Sequence, residues 1–410
     1  MARIISRLKT GSWSINDLYG RLNFDCWGYE ACASGNYGLY VWGHNPHGEQ
    51  GSNRAGGSSH VPVQVGTVEG WDSEPEDMVG YYWVMSKKCD GTAWAWGHNP
   101  QGQLGNGSYA NRSSPTQIPG CWRTTSAGYY HSIGVKCDGT LWTWGYNGNG
   151  ELGLGCAGGN CPIPMQVGSG TDWCAGHAAH YQSYGIKCNG SLYSWGHNPH
   201  GDLGLNDNVP RCSPTQIPGT WTCARGYKPG LGRKSDGCHY TWGHNPHGQL
   251  GNGSTTPYSS PILLPGSWCH ISSTSSKHHN IAGVKTDGTL WVWGHAPQGQ
   301  IGNCCTYNTV STPCQGVPGT DWCRVGVGYD YVLGVKCNGT LWGWGSNPHG
   351  NIDNTSLARS SPQQIPGNYW KDVAAGHWHV VARTNGVSQC QEGINFEDYP
   401  SVCYQSFCAF

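Results

Sequence analysis

The sequence contains few charged residues. Only 11% of its 410 residues are charged, and 23 Lys and Arg stand against 24 Asp and Glu, which leaves a formal net charge of −1. A protein that binds a phosphate backbone needs a basic patch or stripe to neutralise it. The near balance of charge therefore predicts no nucleic acid partner.

Long apolar runs are absent as well. No segment approaches the roughly 20 consecutive apolar residues that a membrane-spanning helix needs. The first ten residues have too short an apolar core for a secretory signal. We therefore expect no membrane span, and nothing in the sequence shows how the chain would leave a cell.

The residue sets typical of catalysis are missing too. No group of Ser, His and Asp stands out from the background, the Gly-rich turns lack the Lys-Ser/Thr of a phosphate loop, and carboxylates are scattered rather than paired. Despite 21 cysteines, no paired C-x-x-C zinc module is present. We expect a protein that is not an enzyme and that has no cofactor.

What the sequence does have is a repeat. Residues 39–48, Leu-Tyr-Val-Trp-Gly-His-Asn-Pro-His-Gly, return six times in variant form at intervals of 47–54 residues. Such a period is typical of propellers and solenoids, in which each repeat packs against its neighbours. Large aromatics occupy alternate positions in every copy, which places them on one face of a strand. The later copies begin their Trp-Gly at Trp96, Trp144, Trp195, Trp242, Trp293 and Trp344.

Each repeat has the content of one propeller blade. Besides the Trp-Gly strand it holds a strand ending in Pro-x-Gln-Ile or Pro-x-Gln-Val and a strand pair closed by Asp-Gly or Asn-Gly, a strong hairpin signal. We predict an all-β propeller of four-stranded antiparallel blades over residues 38–384, with an N-terminal arm or degenerate first strands at 1–37 and a Cys-containing tail at 385–410. The strand pair in 370–384 has no Trp-Gly strand of its own, so we expect it to close the ring on the blade of Trp42. Spacing alone allows seven or eight blades.

Several cysteines recur at two positions that an antiparallel strand pair brings side by side. Cys174 and Cys188 are 14 residues apart, as are Cys323 and Cys337. We predict a disulfide in each pair, worth about 2–4 kcal/mol. The alternative is a set of small buried thiols that suit a tight blade. The same prediction extends to Cys121 with Cys137 and Cys223 with Cys238.

The loop after each Trp-Gly is rich in histidine. In a closed ring these loops gather on one face, where imidazoles can bind Zn²⁺ or Ni²⁺ or respond to pH below about 6.5. The alternative is a turn whose side chains bond to nearby backbone, because no Cys or carboxylate recurs beside the histidines. The metal-ligand candidates are His44, His47, His197, His200, His244 and His247.

Three spaced motifs recur in the repeats. They are Leu-Trp-x-Trp-Gly-x-Asn-x-x-Gly-Glu-Leu-Gly at 141–153, which contains the Trp-Gly strand, Ser-Pro-x-Gln-Ile at 114–118 and Ala-Ala-Gly-x-x-His at 374–379. They resemble the regulator of chromosome condensation repeat family over roughly 38–384. The resemblance implies a seven-bladed propeller. The best-known members exchange nucleotide on the small GTPase Ran and bind chromatin, and the repeats are also similar to those of bacterial surface proteins and phage virion proteins.

Two functions are compatible with these features. The low charge, the many cysteines and the lack of a basic tail favour a structural or adhesive propeller on a virion or cell exterior, which binds protein subunits or surface glycan through its loops. The alternative is a cytoplasmic regulator that acts as a guanine-nucleotide exchange factor for a small GTPase. A fold by itself does not decide between them.

The segments outside the repeat carry apolar side chains. Such residues are costly in water unless the ring or another subunit covers them. We expect one extension to dock on a neighbouring chain, the alternative being that it folds back onto its own blades. The docking candidates are Ile4, Ile5, Trp13, Phe396, Tyr404 and Phe407.

Overall fold

Short antiparallel strands form nearly all of the regular structure. The computed structural model describes residues 38–66, 70–226, 228–273, 279–302, 309–367 and 369–384. The predictions for the two extensions lie outside these ranges. Within them, no helix is long and apolar enough to span a membrane.

The strands take four positions, from the central channel outward. The innermost strands are β6 (Trp122–Ala127), β10 (Trp173–Ala178), β14 (Trp221–Arg225), β18 (Trp268–Ser273), β22 (Trp322–Val327) and β26 (Trp370–Ala375). The second strands are β3 (Trp83–Lys87), β7 (His131–Lys136), β11 (Gln182–Lys187), β15 (Gly230–Lys234), β19 (Asn280–Lys285), β23 (Tyr331–Lys336) and β27 (His379–Thr384).

The Trp-Gly strands are third, and a partly exposed strand follows each of them on the outside. The third strands are β1 (Leu39–His44), β4 (Ala93–Gly97), β8 (Leu141–Gly145), β12 (Leu192–Gly196), β16 (His239–Gly243), β20 (Leu290–His295) and β24 (Leu341–Gly345). The outer strands are β2 (Ser58–Gln64), β5 (Arg112–Ile118), β9 (Cys161–Gln166), β13 (Arg211–Ile217), β17 (Tyr258–Leu263), β21 (Thr309–Val317) and β25 (Arg359–Ile365).

These strands form seven sheets, which confirms the seven-bladed propeller. We number the blades 1 to 7 by their Trp-Gly strands, β1 to β24. Blade 1 closes the ring: its strand order is β2-β1-β27-β26, and Leu39 pairs with Arg383 in an antiparallel register. The strand pair near the C-terminal end of the propeller thus completes the first blade, as predicted.

The tryptophan of each Trp-Gly strand ties its blade to the preceding one. Its ring is fully buried, and its indole Nε1 donates a hydrogen bond to a backbone carbonyl in the loop of the neighbouring blade. Because a buried indole N–H needs an acceptor, each such bond also fixes the distance between blades. The donor and acceptor pairs are Trp42 with Asn351, Trp96 with Glu49, Trp144 with Gln103, Trp195 with Glu151, Trp242 with Asp202, Trp293 with Gln249 and Trp344 with Gln300.

Blade 2 departs from the predicted four strands. Among the described residues it contains only β3, β4 and β5, and a four-residue helix, α1 (Pro75–Met78), takes the place of the innermost strand. Proline lacks a backbone N–H and cannot join a ladder, but it suits the first turn of a helix. The helix contacts β26 and β6, the innermost strands of the two flanking blades, so it lies at the central channel.

Candidate functional site

The two ends of the propeller differ in structure. In each blade the turn from the first to the second strand and the loop from the third to the fourth strand lie at the same end, because the strands are antiparallel. We call this end the aromatic face. The opposite end, the hairpin face, holds the Asp-Gly and Asn-Gly turns between the second and third strands.

The turns of the aromatic face display pairs of rings. In blade 3, the N–H of Gly128 donates to the carbonyl of His131 across a two-residue turn, so that Tyr129 and Tyr130 stand at its tip. Equivalent turns in other blades have the same backbone bond. Their tips carry Tyr81 and Tyr82 in blade 2, His180 and Tyr181 in blade 4, Tyr329 in blade 7, and His377 and Trp378 in blade 1.

These tips touch each other across blades and form an aromatic cluster around the channel mouth. The order of rings is Tyr329, His377, Tyr81, Tyr129 and His180, with centroid separations of 4.1, 4.4, 4.2 and 4.3 Å. The row crosses five of the seven blades. The second ring of each tip packs beside the first and completes the cluster with Tyr82, Tyr130, Tyr181 and Trp378.

The cluster combines a buried floor with accessible rings. Tyr129, His180 and His377 are only 3%, 5% and 6% exposed, whereas Tyr130 and Trp378 are half-buried. Burial, with a contribution from Tyr130, raises the pKa of Tyr181 to about 12, and burial likewise raises the pKa of Tyr130. The phenols are therefore neutral at physiological pH. The cluster offers an aromatic surface of the kind that protein partners bind.

Helix α1 supports this cluster from inside the channel. Its carboxylates reach innermost strands on the other side of the ring: Asp77 Oδ1 lies 2.7 Å from His177 Nδ1, and Glu76 Oε1 lies 2.7 Å from His270 Nε2. Arg225 bridges both acids, at 3.4 Å from Glu76 and 3.5 Å from Asp77. The chain then turns directly into the Tyr81 tip. These contacts thus join blades 4, 5 and 6 to the aromatic turn of blade 2.

The charges in the channel are compensated where they are buried. Burial alone would raise the pKa of Glu76, but the His270 imidazole and the Arg225 guanidinium outweigh it and hold that pKa at about 2. The pKa of Asp77 is likewise lowered against burial, by Arg225 and His177. Both acids are therefore ionised at neutral pH. Buried ion pairs of this kind are costly to break, because the remaining partner keeps an uncompensated charge.

The predicted metal-ligand histidines lie on the rim of the same face. At four blade junctions the second histidine of one loop contacts the first histidine of the next loop. Within the described residues, no group of three or more His, Cys, Asp or Glu side chains is placed to hold a metal ion. His197 lacks such a neighbour because blade 3 has Asn149 in that place. The pairs and their centroid separations are His47 with His98 at 4.3 Å, His200 with His244 at 4.5 Å, His247 with His295 at 4.6 Å and His349 with His44 at 4.6 Å.

The candidate cysteines lie toward the opposite end. The structure joins Cys121 to Cys137, Cys174 to Cys188 and Cys323 to Cys337, with Cα separations of 5.6, 5.0 and 5.2 Å. Cys223 and Cys238 each take part in a disulfide, and a bond between these two cysteines stays a prediction. The docking candidates Ile4, Ile5, Trp13, Phe396, Tyr404 and Phe407 lie outside the described residues, so docking by the extensions stays a prediction.

Sequence reasoning missed the aromatic cluster and α1. The cluster has a sequence signal, since Tyr-Tyr, His-Tyr and His-Trp stand at the same place in successive repeats, just before the second strand. The helix has only a weak one, the Glu-Pro-Glu-Asp segment that replaces a strand sequence at 74–77. Neither signal tells which distant residues the side chains meet.

A family model for the Regulator of chromosome condensation (RCC1) repeat matches this chain five times. The matched segments together cover more than half of the chain, and a second model of the same repeat matches residues 122–151. The five segments are residues 90–135, 138–179, 189–222, 236–281 and 338–383.

Solved structures of similar fold extend over most of the chain. Human WBSCR16 aligns with a TM-score of 0.72 at 19% identity and covers 85% of this chain and 99% of its own. Prp20p from Saccharomyces cerevisiae, described for its binding to Gsp1p and histones, aligns with a TM-score of 0.72 at 16% identity, over 92% of this chain and 96% of its own. Yeast RCC1 (Prp20) bound to Kap60 gives the same score and identity, over 92% and 93%.

These comparisons correct two predictions. A structural or adhesive role on a virion or cell exterior, with an extracellular location, is wrong: the similar structures are RCC1-type proteins, and those of yeast are described with Gsp1p, histones and Kap60. A glycan partner finds no support in these comparisons. The cysteines misled the prediction, because they were taken as a sign of location, whereas six of them form disulfides within blades toward the hairpin face. The findings favour the alternative, a regulator inside the cell.

Proposed function

The chain belongs to the Regulator of chromosome condensation (RCC1) repeat family, and from that premise we propose that it is a non-enzymatic regulator inside the cell that binds a small GTPase and speeds the release of its nucleotide. The observation that carries the proposal is the aromatic cluster, a continuous row of rings over five blades with half-buried members at its edge. A similar structure, Prp20p, is described for binding Gsp1p.

The composition of the cluster suits protein binding. Tyr and Trp dominate the central positions of protein interfaces, because they bury a large apolar area and lose little side-chain entropy. Here the rings are already packed against each other and supported by α1, so that binding orders few side chains. A pre-ordered surface converts more of its contact energy into affinity.

Nucleotide release needs no catalytic group on the propeller. If the propeller binds the nucleotide-free form of a GTPase more tightly than the loaded form, it must weaken nucleotide binding by the same factor, because the coupling free energy is reciprocal. A factor of 100 corresponds to about 2.7 kcal/mol of differential binding. The neutral phenols and the absence of a catalytic set from the sequence are consistent with this mode of action.

The test is a nucleotide-release assay with a panel of purified small GTPases loaded with fluorescent GDP. We expect the full chain to accelerate release from at least one of them. Tyr130→Ala combined with Trp378→Ala should reduce the acceleration at least tenfold, because truncating a central aromatic anchor typically costs about 2 kcal/mol or more. The expected loss lies in affinity for the nucleotide-free form.

The matched controls lie on the hairpin face. Lys136→Ala and Lys187→Ala remove side chains at the opposite end of the ring and should leave release within about twofold of the wild type, which is the scatter of near-neutral interface positions. Circular dichroism and thermal unfolding check that every variant is folded. Failure of the whole panel to respond, or equal loss in both sets of variants, would refute the proposal.

A further inference from the structure

The histidines of the rim form pairs because of where the repeat places them. Each loop of the type His-Asn-Pro-His-Gly holds its first histidine against the preceding blade and its second against the following blade. Where two adjacent blades both have the required residue, two imidazoles meet at the junction, at centroid separations of 4.3 to 4.6 Å. The other junctions carry Tyr146, Asn149 or Ser346 in one of the two places.

Blades 4, 5 and 6 join two of these pairs into one row. His200 contacts His244 at 4.5 Å, and His247 contacts His295 at 4.6 Å. His279, from the turn before β19, lies between the pairs, 4.7 Å from His244 and 5.6 Å from His247. We call these five residues the histidine row. It crosses two blade junctions without a break.

The backbone of the row is fixed before any ligand arrives. Asn245, next to His244, accepts a hydrogen bond from the N–H of Leu250 at 2.9 Å and donates from its amide to the carbonyls of Ser254 and Thr256. Asn198 makes the equivalent bonds beside the loop of His200, to the N–H of Leu203 and the carbonyl of Val209. These bonds hold the backbone of the two loops in a defined conformation.

Imidazole pairs at this separation suit a divalent transition-metal ion. Two Zn–N bonds of about 2.0–2.1 Å in a tetrahedral site place the two nitrogens roughly 3.4 Å apart, a spacing that rings with centroids about 4.5 Å apart can reach by turning. Neutral imidazole is the ligating form and is preferred by Zn²⁺, Ni²⁺ and Cu²⁺.

We propose that the histidine row binds divalent ions of the Zn²⁺, Ni²⁺ and Cu²⁺ class, one at the His200–His244 junction and one at the His247–His295 junction, and that bound metal ties blades 4, 5 and 6 together at the aromatic face. Because no three candidate ligands among the described residues meet at one point, each ion takes two imidazoles from adjacent blades and completes its coordination with water.

The test is a titration of the untagged full chain with ZnCl₂ by isothermal calorimetry, after removal of metal with EDTA. All proteins carry His47→Gln and His349→Gln, so that the two isolated pairs do not contribute, and thiols are alkylated. We expect two ions per chain with micromolar affinity and a rise in the unfolding temperature on addition of zinc. NiCl₂ should give the same stoichiometry.

The repeat itself supplies the variants. Gln101 and Gln298 occupy the place of the second histidine in blades 2 and 6, so His200→Gln and His247→Gln copy a side chain that the fold already accepts there. Each single substitution should abolish one ion, and the double substitution should weaken zinc binding at least tenfold and remove the thermal stabilisation. The control is His197→Tyr, which copies Tyr146 at a junction without a pair and should change nothing.

Two results would overturn the proposal. One is the absence of zinc binding at 100 μM in the starting protein, at a concentration about a hundredfold above a micromolar Kd. The other is unchanged stoichiometry after His200→Gln and His247→Gln, which would place the ions elsewhere. Circular dichroism without metal shows whether each variant is folded, and the single variants provide the answer if the double variant is not.

Discussion

The aromatic face and the hairpin face are built from the same seven repeats but by different kinds of contact. On the hairpin face most side-chain contacts lie within one blade. Disulfides join cysteines 14 or 16 residues apart, and lysine ammonium groups lie over the rings of tryptophans in their own blade. On the aromatic face the rings and imidazoles meet between blades. One end of the repeat stabilises each blade, and the other end creates a continuous surface.

This difference has a physical cause. At the hairpin face, the tight turns reach the next blade through backbone, as in the hydrogen bond from the N–H of Trp122 to the carbonyl of Gly91. At the aromatic face, the turn tips and the longer loops project beyond the strands, where neighbouring blades converge around the channel. Loops on a rigid scaffold carry binding functions in many folds. The comparison therefore predicts that changes to the exposed rings of the aromatic face alter binding, whereas changes at the hairpin face leave binding unaltered.

The largest expected effect tests the support beneath the aromatic face. Arg225→Met removes the buried cation that bridges Glu76 and Asp77 and leaves two partly buried carboxylates with less compensation. We expect a loss of about 3–5 kcal/mol in the free energy of unfolding, measured by urea denaturation. Arg123→Met, an exposed arginine on the hairpin side, should cost less than about 1 kcal/mol. Equal losses would show that the channel pairs do not support the fold.

The features that the sequence predicted are those set within one repeat, and the features that it missed are contacts between distant repeats. The periodic Trp-Gly strands and the closure of β27 on β1 were predictable, because they depend on patterns within one repeat or between the ends of the repeat array. The number of blades followed from the family resemblance, since the spacing of the repeats allowed seven or eight. The helix at Pro75 was not predictable. Its partners lie far along the chain, as Asp77 and His177 are 100 residues apart, and no local pattern encodes such a contact.

The candidate site was only partly predictable for the same reason. Histidine-rich loops were visible, but the pairing of His200 with His244 depends on which loop faces which across a junction. The aromatic cluster needs Tyr81 and Tyr129 to converge at the channel mouth, and this depends on ring curvature. Function was predicted wrongly, because composition was taken as evidence of location when it reflects the demands of the blades.

The second largest effect concerns the disulfides of the hairpin face. Cys174→Ser combined with Cys188→Ser opens a loop of 14 residues. We expect the oxidised protein to lose about 2–4 kcal/mol in the free energy of unfolding, because the crosslink restricts the unfolded chain. Nucleotide release should be unchanged. In reducing buffer the wild type should fall toward the variant, and non-reducing peptide mapping that finds these thiols free would contradict the prediction.

The third effect concerns pH. His239 begins the Trp-Gly strand of blade 5 in a place where Leu141 and Leu192 stand in other blades, and burial, aided by Arg233, lowers the pKa of His239 to about 3. The unfolded chain, with a pKa of about 6.5, binds this proton while the folded chain does not, so stability falls as pH drops from about 6.5 toward 3.

The matching variant removes this proton uptake. His239→Leu should make the propeller more resistant to acid, with a gain of about 2 kcal/mol at pH 5 relative to the gain at pH 8. Urea denaturation at the two pH values measures it. A pH dependence identical to that of the wild type would show that His239 is not the titrating group.

The smallest effect tests the lysines of the hairpin face. In blade 3, Lys136 Nζ lies 3.5 Å from the ring centroid of Trp142. In blade 2, the equivalent distance from Lys88 Nζ to the ring centroid of Trp94 is 5.1 Å. A cation above an indole ring contributes about 0.5–1 kcal/mol at an exposed site. Lys136→Met keeps the apolar stem of the side chain but removes the charge, so we expect a loss of that size, and a smaller loss for Lys88→Met. Equal losses would mean that the stem rather than the charge matters. A slower nucleotide release in either variant would contradict the assignment of partner binding to the aromatic face, because it would place part of the binding surface on the hairpin face.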